Sequence, residues 1–79
     1  MKIQEILDIL DSERKYMGFQ LTKRRGAITS TWLLYKKEKS YYFFDINQNI
    51  DFSDSFKYSK NEAIIEFEKS YFEIDLPIS

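Results

Sequence analysis

The sequence predicts an α+β fold in the order α-β-β-β-α, a three-stranded antiparallel meander packed with two helices, with residues 1–79 forming a single small domain. Three observations predict it. Ile3, Ile6, Leu7 and Leu10 recur at helical spacing near one end of the chain, and Ala63, Ile64, Phe67 and Tyr71 do so near the other. Between them, β-branched and aromatic residues gather in three short runs. Those runs are separated by KRRG (23–26) and KKEK (36–39), charged stretches that read as turns.

The first helix carries Glu5, Asp8 and Asp11 away from its apolar stripe, and Arg14 and Lys15 fall in its expected last turn, where positive charge complements the helix dipole. Gly18 reads as its stop. Strand one then runs through Phe19-Gln20-Leu21-Thr22, and Gly26 supplies the permissive position of the first turn. Strand two spans about Ala27 to Tyr35, and strand three about Tyr41 to Ile46. Residues 50–58, IDFSDSFKY, read either as an ordered loop held by Phe52 and Phe56 or as a short fourth edge strand near 50–56. Ser59 and Glu62 form a capping box that opens the last helix, and Pro77 lies beyond its end.

Strands two and three are apolar at successive positions, whereas a half-buried strand alternates. Alternation sends Phe19, Leu21, Ile28, Trp32, Leu34, Tyr42, Phe44 and Ile46 toward the helices. It sends Leu33, Tyr35, Tyr41 and Phe43, with Thr29 and Thr31, to the opposite side. With both helices on one face, that second set is an open aromatic patch, which marks an interaction site. Otherwise one helix or the Phe52–Phe56 loop folds over it. Both readings stand at this stage.

A chain this short buries only about 60% of the surface it exposes unfolded, so its stability margin is thin. It has no cysteine for a disulfide and no histidine or cysteine for zinc, and no calcium-type loop of spaced Asp, Asn and Gly is present. No metal or cofactor is expected. Seven Phe, six Tyr and one Trp supply the buried area instead. The opening segment is charged where a signal peptide is apolar, and the longest uncharged stretch is too short to span a bilayer as a helix. The expectation is a cytoplasmic protein, of a bacterial host cell if the chain is phage-encoded, with no membrane partner.

The net charge of −1 conceals a division. Residues 1–13 carry −3 and residues 41–79 carry −5, while residues 14–40 hold eight bases and one acid. Catalysis is not expected. Without His or Cys there is no imidazole base, thiolate or Ser-His-Asp arrangement, and two glycines make no phosphate loop.

The opening MKIQEILDILDSERKYMGF resembles that of HicA-type mRNA interferases, whose fold is similar to double-stranded-RNA-binding domains. Those toxins carry a catalytic histidine on a middle strand. This chain has none, so the resemblance implies a fold and not that activity. RNA-binding domains of that type place a basic second helix on RNA, whereas SKNEAIIEFEKSYFEIDL has more acids than bases. In size, acidity and lack of cysteine the chain is also similar to small phage proteins that block host defence nucleases, anti-CRISPR proteins among them, which occupy a basic channel with carboxylates and aromatics.

The functional expectation is a non-enzymatic binding protein, a stoichiometric inhibitor or adaptor. Its partner is another protein, such as a basic nucleic-acid-binding enzyme, met by Leu33, Tyr35, Tyr41, Phe43, Asp51, Asp54, Glu66 and Glu73. Two alternatives remain open. One is a nucleic-acid-binding module using Arg14, Lys15, Lys36, Lys37 and Lys39 with the sheet aromatics. The other is a homodimer that buries the aromatic face.

Overall fold

The computed structural model describes residues 2–12, 16–48 and 51–79. Helix α1 (Ile3–Ser12) is followed by strands β1 (Gly18–Arg25), β2 (Ile28–Lys37) and β3 (Ser40–Asp45). A 3-10 turn (Phe52–Asp54) leads into β4 (Phe56–Tyr58), then helix α2 (Lys60–Lys69) and strand β5 (Phe72–Ile78). The expected α+β meander is present as β1-β2-β3, and it is extended on both sides. All pairings are antiparallel and the sheet order is β4-β3-β2-β1-β5. The short fourth edge strand lies at Phe56–Tyr58, later than 50–56.

Each turn follows from local chemistry. Arg25 pairs with Ile28 across a two-residue loop in which Gly26 has φ +63, a conformation that costs glycine nothing. Lys37 pairs with Ser40 across a second two-residue loop, where Glu38 takes φ 59 and carries the steric cost that glycine avoids. Gly18 does not stop α1. It opens β1, where a Cβ would sit 2.4 Å from the Leu34 carbonyl oxygen, so the strands meet there only through a glycine.

The helices pack on one face of the sheet. Ile3, Ile6, Leu7 and Leu10 of α1 and Ala63 of α2 join Phe19, Leu21, Leu34, Tyr41, Phe43 and Phe72 in one core. Trp32, Ile64 and Phe67 pack at its margin. The register corrects the expected strand parity. Leu34 faces Phe43, not Tyr42, because the tight Glu38–Lys39 loop sets β3 one residue away from the expected alignment, and a one-residue slip moves every side chain to the other face. Tyr41 and Phe43 are therefore core residues, while Phe44 lies on the opposite face. Ile28 and Ile46, expected in the core, are exposed at the end of the sheet.

The last helix is also shorter than expected. It ends at Lys69, and Tyr71 is exposed at φ 54, a position usually occupied by glycine after a helix. Tyr71 thus belongs to the turn and not to the apolar stripe. Residues 72–78 then form β5 along β1, with a bulge opposite Gln20 and Leu21. On the bulged strand Asp75 accepts hydrogen bonds from Thr22 Oγ1 at 2.5 Å and Gln20 Nε2 at 3.3 Å.

On the opposite face the 3-10 segment covers the part of β2 and β3 around Tyr35 and Phe44. Asp51 caps it by accepting from the Ser53 backbone N–H at 3.0 Å. Phe52 packs on Phe44, with ring centroids 4.7 Å apart, and edge-on against Tyr35 at 5.4 Å. The Tyr35 hydroxyl meets Ser55 Oγ at 2.8 Å, and Tyr35 stacks on Tyr42. Leu33 and Phe44 are buried beneath this cover. The loop reading therefore holds on this face for Phe52, not for Phe56, which lies in β4 on the helix-bearing side, and the expected aromatic patch is not open here.

Candidate functional site

The helix-bearing face is only partly occupied by helices. They sit over the end of the sheet that includes Phe19, Leu34, Tyr41 and Phe43. At the other end lie the close of β1, the start of β2 and the close of β3, and there the same face is an open groove of about 580 Å³. Its lining includes Lys23 and Arg25 from β1, Ile28, Ser30 and Trp32 from β2, Asp45 from β3, and Asp54 and Phe56 from the next segment. A smaller recess of about 180 Å³ continues from it toward α2, shares Lys23, Trp32 and Phe56, and adds Tyr58, Glu66 and Phe72.

The aromatic walls are ordered by one another. Trp32 stacks on Phe56 with centroids 6.2 Å apart and meets Phe72 edge-on at 5.4 Å, 74° between planes. Trp32 Nε1 donates to Ser30 Oγ at 2.9 Å, which fixes the indole orientation. Phe56 remains half exposed, a large ring left available on the edge strand β4. Asp45 is 7% exposed, and its carboxylate accepts the Asn47 backbone N–H at 3.0 Å. Asn47 Oδ1 in turn accepts the Thr31 N–H at 2.6 Å, tying the loop after β3 to β2. Three carboxylates (Asp45, Asp54, Glu66) and two cations (Lys23, Arg25) line the combined groove.

The expected site residues separate into groups. Asp54 lines the groove and Glu66 the smaller recess that adjoins it, Glu66 also accepting from Ser70 Oγ at 3.2 Å. Asp51 is the cap of the 3-10 turn. Glu73, opposite Thr22 in register, lies 3.8 Å from Arg24, both side chains well exposed. Leu33, Tyr41 and Phe43 are buried, and Tyr35 is half-buried under Phe52, so these four residues do not form one accessible surface. Of the basic set, Lys37 and Lys39 are exposed around the second turn. Arg14 and Lys15 lie outside the described residues.

Lys36 is engaged internally. Its ammonium contacts Asp11 Oδ1 at 2.6 Å, and Lys60 reaches Asp11 Oδ2 and Asp8 Oδ1, each at 2.8 Å. The Tyr41 hydroxyl also donates to Asp11. The cluster clasps α1 to β2, β3 and α2. Partial desolvation pulls the Asp11 carboxyl upward, but hydrogen bonds from Lys36, Lys60 and Tyr41 outweigh it and hold the group well below the usual carboxylate range. Burial, then the hydrogen bond to Asp11, pushes the Tyr41 phenol up to about 12. Hydrogen bonds to Asp11 and then Asp8 raise the Lys60 ammonium. These shifts belong to a structural clasp.

Among the described residues no group of three or more His, Cys, Asp or Glu side chains is arranged to hold a metal ion. No described helix is long and apolar enough to cross a membrane. The groove residues that the sequence did not single out as a site are Lys23, Trp32 and Phe56, whereas Asp45 was expected beside Asp51 and Asp54 on a negative surface. A signal was present: Lys23 and Asp45 share the helix-facing side of their strands with core residues, and charge at such positions marks a stretch of sheet without a cover. Comparison of the chain with protein-family models, curated proteins and solved structures found no match in any of the three.

Proposed function

We propose that the protein acts without catalysis, as a stoichiometric inhibitor or adaptor that binds a basic protein through the groove at the open end of its sheet. The observation that carries this reading is the combination, along the groove and its adjoining recess, of half-exposed Phe56 beside Trp32 with the carboxylates Asp54 and Glu66. Aromatic anchors supply contact area at small entropic cost, and a carboxylate rim attracts and orients a cationic partner. A nucleic-acid-handling enzyme, whose channel is positively charged, is the partner class such a surface matches. Along the groove the cations Lys23 and Arg25 are matched by Asp54 and Glu66, and Lys36 is tied to Asp11, which favours a protein over a nucleic-acid ligand.

The test compares two double variants against one partner, captured from bacterial lysate and then purified. Asp54→Lys with Glu66→Lys is expected to weaken binding at least tenfold, mainly by slowing association, with little change in melting temperature. Lys37→Glu with Lys39→Glu is expected to leave binding within about twofold. Loss confined to the lysine variant, with steep salt dependence toward an oligonucleotide, refutes the reading and assigns the surface around the second turn to nucleic acid.

A further inference from the structure

The recess beside α2 holds a cation of the protein's own. Lys23 Nζ lies 5.4 Å from the centroid of Trp32 and 5.6 Å from that of Phe72, two rings standing at 74° to each other. Both distances are within the range over which a ring face attracts a cation. Among the described residues Lys23 makes no ion pair within 4 Å, so the rings are what hold its head group. Tyr58 and Phe56 complete the aromatic lining, and Glu66 places a carboxylate at the same recess. Orthogonal ring faces, a flanking carboxylate and a volume of about 180 Å³ are the elements of an aromatic cage for a cationic head group.

We propose that this recess is a recognition pocket for an arginine or lysine side chain of a basic protein partner, and that Lys23 is its displaceable resident. The inference rests on the binding function proposed above and names the chemistry of the partner residue. Lys23 stands on β1 with a long flexible stem, and its head group can swing to solvent without moving the strand. An entering guanidinium or ammonium then gains the same two rings together with Glu66, while Asp45 and Asp54 in the adjoining groove favour its approach. Charge complementarity selects this occupant over an apolar side chain, which gains nothing from Glu66 and cannot replace the cation on the ring faces.

The chain has one tryptophan, and it forms a wall of the pocket, so its fluorescence reports occupancy directly. The probes are tetramethylammonium chloride and L-arginine amide, with tert-butanol as a neutral shape control and sodium chloride to match ionic strength. Lys23→Ala should bind both cations at least fivefold more tightly than the unaltered chain, and tert-butanol should give no saturable change. Adding Glu66→Gln to Lys23→Ala should remove most of that gain. Equal affinity of Lys23→Ala and the unaltered chain, saturation by tert-butanol, or no saturable signal in a Lys23→Ala chain that still melts cooperatively would each overturn the proposal. The outcome is separable from the function itself. Cage failure with intact Asp54- and Glu66-dependent partner binding leaves the binding function standing, and a working cage without a basic protein partner does the reverse.

Discussion

Replacing Phe43 by alanine tests the strand register on which the rest of the fold depends. The ring is 1% exposed, stacked on Phe72 at 5.3 Å and edge-on to Tyr58 at 5.4 Å, with Leu34 and Phe56 opposite it on the neighbouring strands. Strands hold it on both sides and the core lies above it, so the cavity cannot collapse cheaply, and the loss should be at the upper part of the ~3–5 kcal/mol range for such truncations. A 79-residue domain has about 4–12 kcal/mol of stability in total at the usual ~0.05–0.15 kcal/mol per residue. A loss of ~4 kcal/mol therefore lowers the melting temperature by about 15–30 °C or leaves the chain unfolded. Phe44→Ala is the comparator. Phe44 is covered by Phe52, itself half exposed, so its truncation should cost less, toward the lower end of the same ~3–5 kcal/mol range. Urea titrations followed by circular dichroism and Trp32 fluorescence measure both losses. If Phe44→Ala proves the more destabilising of the two, β3 is paired one residue away from the register described, and the core and groove assignments fall with it.

Three further outcomes follow from particular contacts. Asp11, whose carboxyl is held low in the folded state, contributes stability that is present above its unfolded value near 4 and is lost as pH falls toward the folded one; thermal melts should fall steeply below pH 4, and Asp11→Asn should flatten that limb while costing about 1 kcal/mol at neutral pH. Tyr41 is the opposite case, raised to about 12, so its contribution is complete below pH 10 and lost as pH rises through 12, and Tyr41→Phe should remove that alkaline dependence. Tyr71→Gly, at a residue with φ 54 and a 79% exposed side chain, should stabilise by about 0.5–1 kcal/mol by relieving the left-handed backbone; a loss of stability would show that the ring has a structural role.

How much of this was legible depended on whether the signal was local. The α1 stripe, the capping box at Ser59 and Glu62, and the permissive Gly26 are each written within a few residues and all are present, although Lys23 to Arg25, expected in the turn, belong to β1. The β3 register was not legible, because Tyr41-Tyr42-Phe43-Phe44 is apolar at every position and cannot report its own parity. Only the length of the Glu38–Lys39 loop decides it, and no glycine marks that loop. The same omission hid β5: Tyr71 takes the backbone conformation that glycine signals elsewhere, so the helical stripe read on through the turn. Of the expected site residues, Asp54 lines the groove and Glu66 its adjoining recess because charge is a surface property readable residue by residue. Their aromatic partners Trp32 and Phe56 are brought together by pairing across three strands, which no local pattern encodes.

Element length explains why the groove exists. Each helix has ten residues and so extends about 15 Å, whereas the ten residues of β2 extend about 33 Å. Because α1 and α2 pack together over Phe19, Leu34, Tyr41 and Phe43 rather than end to end, helices of that length leave the other end of the sheet uncovered. A bare sheet end lined by leucine and isoleucine would be a liability for a marginally stable chain. Here the helix-facing positions change character where the cover stops: Phe19 and Leu21 give way to Lys23 and Arg25 on β1, and Tyr41 and Phe43 to Asp45 on β3. Charge of both signs keeps the open end solvated, while Trp32 and Phe56 remain between the charged rows as contact area. A surface so arranged resists indiscriminate association and still offers rigid rings to a ligand whose cations match its carboxylates.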